Sequence, residues 1–280
     1  MPQAPTSFKE HCRKVKLGST FLKVIPTSFI DQNSAERADF HNLEIELLSH
    51  GFVPEHYLRN IGTYTIPQQL QLVQSKACIA GLGGLGGYVA ELLVRAGVGR
   101  IHGADHDVFE ASNLNRQVHC TFESLYSSKA HALKERIMTI SKGSDFTTSN
   151  LFLTRENLPD FLELKTGYAD VVLDCYGELG GRAEVAAQAA KKNIPLVTAG
   201  IAGRSGYVAT VMPGQPTPAD FLGAGAGAEK VMGTPAPAVT MAASLQVDQA
   251  LSILCGEKPS LAGKMYLFDM SNMNVEIITL

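Results

Sequence analysis

The sequence predicts an α/β fold: a doubly wound mixed sheet with antiparallel strands near its C-terminus and a small helical N-terminal extension. Three observations carry that expectation. A short apolar strand at residues 77–80 runs through a glycine-rich turn into a helix and a second strand. Such a unit favours a parallel sheet with right-handed crossovers. The alternation of strands and helices then continues to residue 199. Beyond a long Gly-, Pro- and Ala-rich segment, one apolar helix and two strands complete the chain.

Taken in order, residues 1–53 show no strong hydrophobic period. They hold two short candidate helices, over residues 7–15 and 35–48, before the break at Gly51-Phe52-Val53-Pro54. The main domain is assigned to residues 54–280. Its first strand enters the run Gly81-Leu82-Gly83-Gly84-Leu85-Gly86-Gly87. The following helix is apolar at Val89, Leu92, Leu93 and Ala96, and Gly97 is placed to end it. A strand over residues 100–105 comes next. Further helices are expected over residues 127–141, 156–164 and 182–193, with strands over 147–153, 171–174, 194–199 and 206–212. Residues 213–237 are too many for an ordinary connection and read as a mobile or functional crossover. A helix over residues 238–254 and strands over 264–269 and 274–279 close the domain. No internal repeat is visible.

Composition narrows the function. Of 280 residues, 45% are hydrophobic and 18% charged, which suits a globular chain with a sizeable core. A net charge of −3 argues against a general nucleic-acid or anionic-membrane binder, because neither sign dominates. No apolar run approaches the roughly 20 residues that span a bilayer, and the first residues lack a secretory signal's apolar core. A cytoplasmic protein is expected. Cys12, Cys78, Cys120, Cys175 and Cys255 are scattered and never in C-x-x-C spacing. They fit reduced thiols and provide neither structural zinc nor a disulfide framework.

The glycine run carries the first chemical signal. Gly81, Gly83 and Gly86 satisfy G-x-G-x-x-G, in which the backbone approaches a phosphate and the next helix presents free N–H groups and a positive dipole end. Asp105, ending the second strand, is placed to accept hydrogen bonds from ribose hydroxyls. This Rossmann-like pattern indicates a nucleotide and leaves NAD and ATP both open. The next block favours a triphosphate. Arg116 offers a fork for phosphate oxygens, Asn113 can donate to the same group, and Lys129 stands at the start of the following helix.

These residues carry a specific resemblance. The run G-L-G-G-L-G-G at residues 81–87, A-G-V-G-R at 96–100, D-x-D-V at 105–108 and S-N-L-N-R-Q at 112–117 are similar to the ThiF/MoeB/HesA family, relatives of the ubiquitin-activating enzymes. The segment His56-Tyr57-Leu58-Arg59-Asn60-Ile61 resembles the family's R-Y-x-R-Q-I element. The resemblance implies that Gly81, Gly83, Gly84 and Gly86 line the nucleotide site with Asp105, Asp107 and Asp174, and that Asp105 binds ribose. It further implies that Asn113, Arg116 and Lys129 bind the triphosphate and that Arg59 enters the site of a neighbouring subunit in a homodimer. The implied activity is ATP-dependent adenylation of the C-terminal glycine of a ubiquitin-like sulfur carrier with a Gly-Gly tail, in a thiamine- or molybdopterin-type pathway.

Three departures from the family pattern are visible. The family's D-x-x-D-N element reads Asp174-Cys175-Tyr176-Gly177-Glu178, so the second Asp, which serves magnesium, is Gly177. A glycine offers a hard cation no side-chain oxygen; Glu178 is the nearest substitute. No residue is therefore assigned as a metal ligand, although the family uses ATP with Mg2+. The zinc-binding C-x-x-C pairs are missing, as is a cysteine on the crossover. A nucleotide-binding scaffold that has lost turnover is the main rival reading, and an NAD-dependent oxidoreductase the third.

Overall fold

Two segments near the start, Arg13–Leu17 (β1) and Thr20–Ile25 (β2), pair antiparallel across a turn in which Gly18 takes φ +58°. The structure, a computed structural model, describes residues 6–177, 179–222 and 227–280. After a short helix at Thr27–Gln32, the helix Arg37–Ser49 (α1) covers this sheet, and Phe52–Pro54 (β3) adds to β2 in parallel. The extension thus carries the expected second helix. Its first helix, Thr6–His11, is shorter than expected, and the three-stranded sheet is an addition. Strand β1 left no apolar period to read because nearly all of it is exposed, on both of its faces.

Polar contacts join the extension to the main domain. Glu44 of α1 is only 1% exposed and lies 2.7 Å from Nε2 of His56. Arg37 donates to the carbonyls of Ser141 and Ser144. The main domain leaves room for these side chains at two glycines: a Cβ at Gly143 would stand 2.0 Å from the Glu44 carboxylate, and one at Gly99 2.7 Å from the His41 ring.

The main domain starts with Ile66–Gln74 (α2), whose first turn is closed reciprocally: Thr65 Oγ1 accepts from the Gln68 amide and Gln68 Oε1 from the Thr65 amide. Then follow Lys76–Ala80 (β4), Gly84–Ala96 (α3), Arg100–Ala104 (β5), Lys129–Ile140 (α4), Asp145–Ser149 (β6) and Val171–Asp174 (β7). The chain continues through Leu179–Lys191 (α5), Leu196–Ala202 (β8), Ser205–Val211 (β9), Ala236–Leu254 (α6), Lys264–Asp269 (β10) and Asn274–Thr279 (β11). Gly97 ends α3 with φ +92°. The eight-stranded sheet runs β11-β10-β9-β8-β7-β4-β5-β6. Strands β8, β7, β4, β5 and β6 are parallel, and β9, β10 and β11 extend the sheet antiparallel.

This is the doubly wound mixed sheet the sequence predicted. Two details differ. Strand β6 stops at Ser149 instead of residue 153, and residues 156–164 form only one helical turn, Leu158–Phe161. There the chain turns instead into a small ribbon pairing Glu163–Leu164 with Gly167–Tyr168, which a helix through residue 164 would prevent. Helices α3 and α6 bury Val89, Leu93, Ala242, Ala243 and Val247 on one face of the sheet, and α5 buries Val185 and Ala189 on the other. Among the described residues no helix is long and apolar enough to cross a membrane.

The topology places a crevice. From central β4 the chain passes through α3 to β5 on one side, whereas β7 lies on the other. Open α/β sheets bind ligands beyond the strand ends where the order reverses in this way.

Burial also sets the protein's acid response. It lowers the ring pKa of His41, His102 and His119 below their ordinary 6.5. Below that pH the unfolded chain takes up protons that the folded chain refuses. Stability is therefore fully present above about pH 6.5 and is lost as pH falls, by up to ~1.4 kcal/mol per pH unit for each ring. The urea midpoint should drop between pH 7 and 5.5, and His41→Leu should lessen the drop. A midpoint independent of pH over that range contradicts this account.

Candidate active site

The crevice is built first from backbone. Gly81 leaves β4 with φ +91°, and a Cβ there would lie 2.9 Å from the Cys175 carbonyl oxygen. A Cβ on Gly86 would lie 1.9 Å from the Gly81 carbonyl oxygen. Both positions require glycine because α3 starts hard against the end of the sheet. Gly83 is the residue before that helix, and the first-turn N–H groups behind it have no partner within the helix. They form an anion-binding end.

Side chains then close around that end. Asp105 Oδ2 accepts from the Leu82 amide at 2.8 Å and Oδ1 from the Asp107 amide at 2.9 Å, so it fixes the glycine turn while each oxygen keeps a lone pair for a ligand. Lys129 starts α4 after the Ser128 cap; its ammonium lies 2.8 Å from Asp107 Oδ2. Asn113 is buried, its Oδ1 accepting from the Glu110 amide at 3.1 Å. Arg116 donates from Nη1 to the Ser112 carbonyl and to Asn115 Oδ1, and its stem lies 3.6 Å from where a Gly84 Cβ would be. Gln117 adds a buried Oε1 without a hydrogen-bond partner.

Gly81, Gly83, Gly84, Asp105, Asp107, Asn113, Arg116 and Lys129 all line one cavity of about 1490 Å³. Gly86 lies beneath it, serving the close approach. Asp174 does not reach the cavity: at 1% exposure it accepts from the Tyr176 amide at 3.0 Å and from Thr198 Oγ1 at 2.7 Å. Gly177 lines the cavity, and nothing stands within 4 Å of where its Cβ would be. Arg59 is exposed and outside the cavity of its own chain. Glu178 lies outside the described residues.

Four features were not singled out from the sequence. Arg182 donates from Nη1 to the Ala199 carbonyl (2.6 Å) and to Tyr207 Oη (2.9 Å), lies 3.5 Å from Asp174 Oδ2, and donates from Nη2 to the Tyr176 carbonyl. Its only signal was a lone arginine at the start of an alanine-rich helix. His106, Phe152 and Tyr176 form an aromatic wall, with ring centroids 4.9 Å apart for the first pair and 6.5 Å for the second; partial burial pushes the Tyr176 phenol up to about 12. Gly200 and Gly206 flatten the sheet face, where a Cβ would meet Tyr207 at 2.7 Å and the Gly200 carbonyl at 2.6 Å respectively. Lys230 projects from the crossover and lines the same cavity. Cys175 is buried, which pushes its thiol well above the ordinary range, as a structural thiol requires.

The profile of the ThiF family matches residues 57–280. The chain belongs to the ThiF family. It is 34% identical over 197 residues to the sulfur carrier protein ThiS adenylyltransferase of Bacillus subtilis, covering 68% of this chain and 57% of that relative. The corresponding Escherichia coli protein is 33% identical over 215 residues, covering 72% of this chain and 80% of the relative. In fold, this ThiF-family chain resembles Escherichia coli MccB, a biosynthetic enzyme solved in complex with N-formylated MccA. The TM-score is 0.72 and the identity 18%, over 96% of this chain and 95% of MccB. That superposition takes in the N-terminal extension, which the family profile leaves out.

The buried pair beneath the site gives a direct test. Asp174→Asn leaves the Arg182 guanidinium buried beside a neutral amide, which should cost about 3–5 kcal/mol and lower the melting temperature markedly. A melting temperature within a degree of the parent's would show that the pair contributes nothing.

Proposed function

We propose that this ThiF-family protein is an ATP-dependent adenylyltransferase that activates the C-terminal carboxylate of a polypeptide tail. The observation that carries the reading is the continuity of the cavity. It runs from the helix α3 end, past Arg116 and Lys129, along the glycine floor at Gly200 and Gly206 to Leu267, Asn274 and Val275 of the antiparallel strands. Its volume exceeds the roughly 300–1,000 Å³ typical of a small-ligand site. An extended tail has room to lie on the flattened sheet with its end at the phosphates.

The chemistry follows from that layout. A tail carboxylate oxygen attacks the α-phosphorus of ATP, the bond to the β-phosphate breaks, and pyrophosphate leaves with the electron pair. The product is an acyl adenylate. No proton need move, so the protein's task is to hold the two reactants in line and to neutralise developing phosphate charge. Arg116, Asn113, Lys129 and the α3 amides supply that neutralisation. Asp105 holds the ribose, and the wall of His106, Phe152 and Tyr176 offers faces for the base.

The tail is assigned to a ubiquitin-like sulfur carrier ending in Gly-Gly, as the names of the curated relatives support. A glycine-floored channel suits such a tail because neither side needs space for side chains. A second polypeptide class is favoured by one observation: the N-terminal extension, absent from the family match, has its counterpart in MccB. We assign Arg59 to the nucleotide site of a second copy of the chain in a homodimer, since it stands exposed and away from its own cavity.

Carrier-dependent exchange of labelled pyrophosphate into ATP tests the reading directly. Exchange is expected, and Arg116→Ala should reduce it about 100-fold, the scale of a lost transition-state donor. Stabilisation by ATP with no exchange for any tail would leave a binding scaffold; stabilisation by NAD alone would leave an oxidoreductase. Mixing inactive Arg59→Ala and Arg116→Ala proteins should restore exchange if one subunit completes the other's site. No recovery on mixing refutes the shared site.

A further inference from the structure

The resemblance implies a magnesium-serving acid at position 177, and among the described residues the donor set there does not fit a metal ion. Gly177 faces the cavity with open space and no oxygen. The three described carboxylates that the resemblance places at the site already have partners. Asp174 is buried beneath the cavity with Thr198 and Arg182, and Asp107 holds the Lys129 ammonium. Asp105 braces two backbone amides, and its remaining lone pairs are assigned to the ribose. Asp105, His106 and Asp107 do bring ligand atoms within 4.8 Å of one another, but they stand at the end of β5 with the Lys129 ammonium already on Asp107. On the described residues, positive charge at the phosphates comes from the protein's own side chains.

Four cationic side chains line the cavity: Arg116, Lys129, Arg182 and Lys230. Three are occupied. Arg116 donates to Ser112 and Asn115, Lys129 to Asp107, and Arg182 to Ala199, Tyr207 and Tyr176. Lys230 has no ion pair or hydrogen bond to its side chain among the described residues. Its adjacent acid, Glu229, is one residue away on a helical turn, and such neighbours do not face each other.

The support beneath Lys230 is nevertheless fixed. It sits on the one-turn helix Glu229–Met232, whose end is held by the Gly203 amide donating to the Gly233 carbonyl at 2.7 Å. Asn115 Nδ2 donates to the Thr234 carbonyl at 3.3 Å, tying the crossover to the segment that carries Arg116. Met232 packs over Gly203, 3.2 Å from where its Cβ would be. Lys230 thus lines, from the crossover, the same cavity that Arg116 and Lys129 line.

We propose that Lys230 is a catalytic residue of this adenylyl transfer, holding the phosphate oxygens in place of the magnesium-serving acid that the family resemblance implies at position 177. The inference rests on the adenylyltransferase reading above. As the tail carboxylate attacks and the bond to pyrophosphate breaks, negative charge accumulates on the oxygens between the α- and β-phosphorus. A lysine ammonium offers those oxygens three donors and a full charge, and takes no part in the transfer of atoms. Nucleotide binding then has little need of a divalent cation.

The experiment measures binding of AMPCPP by calorimetry, in Mg2+ and in EDTA, for wild type, K230M, K230R and the double variant K230M/G177D. Wild type should bind within about threefold in the two buffers. K230M should lose about tenfold or more in EDTA, the scale of a charge-assisted hydrogen bond, whereas K230R stays near wild type. The double variant should regain affinity only in Mg2+, because an Asp fits the open space at 177. Pyrophosphate exchange should follow the same order. Wild-type binding that collapses in EDTA, or K230M binding like wild type, overturns the proposal. A wild type that binds no AMPCPP in either buffer instead sinks the adenylyltransferase reading itself.

Discussion

Helix α3 meets the end of the sheet at van der Waals limits, and the site depends on that contact. The first turn rests on the Gly81 carbonyl so closely that position 86 has no space for a methyl group. Only this approach brings free helix amides over the ends of β4, β5 and β7, where the strand order reverses. Asp105 secures the turn from the other side through Leu82. The glycines, the acid and the helix are therefore one device. Losing the close contact would move the amides away from any phosphate, whatever became of Arg116 or Lys129.

A second layer lies beneath. The Arg182 guanidinium bonds to β8 at Ala199, to β9 at Tyr207, and to the turn after β7 at Tyr176, with Asp174 as its counter-charge. Those strands belong to different halves of the cavity. The parallel half carries the helix α3 amides, and the antiparallel half offers the flat glycine floor. One planar cation, satisfied on several sides, keeps the two halves at a fixed distance. Such a network rigidifies only when every member is satisfied, and here the bonds reach strand backbones as well as side chains.

Much of this was legible in the sequence, for reasons specific to each part. The glycine run announced the strand, turn and helix because glycine is the residue the geometry requires there. Apolar runs at residues 77–80 and 171–174 announced strands buried on both faces. The N-terminal sheet stayed hidden because its strands expose most of their side chains and so lose the alternation that marks a half-buried strand. Residues 150–164 misled because a short apolar and acidic stretch suits both a helix and a ribbon. Among the residues lining the cavity, those in contiguous motifs could be singled out from the sequence. Arg182, Phe152 and Lys230 were missed because folding alone brings them together, from a helix, a strand end and the crossover.

The buried Glu44 carries a wider meaning for how the chain holds together. Its carboxylate occupies the hollow left by Gly143, and its partner His56 comes from the segment just after β3. Arg37 is anchored in the same loop, on Ser141 and Ser144. Detaching the first fifty residues would empty that hollow and orphan two carbonyls on the sheet side, so the appendage is welded on and not tethered. Any rearrangement of the appendage would therefore be felt at the β5–β6 edge of the sheet.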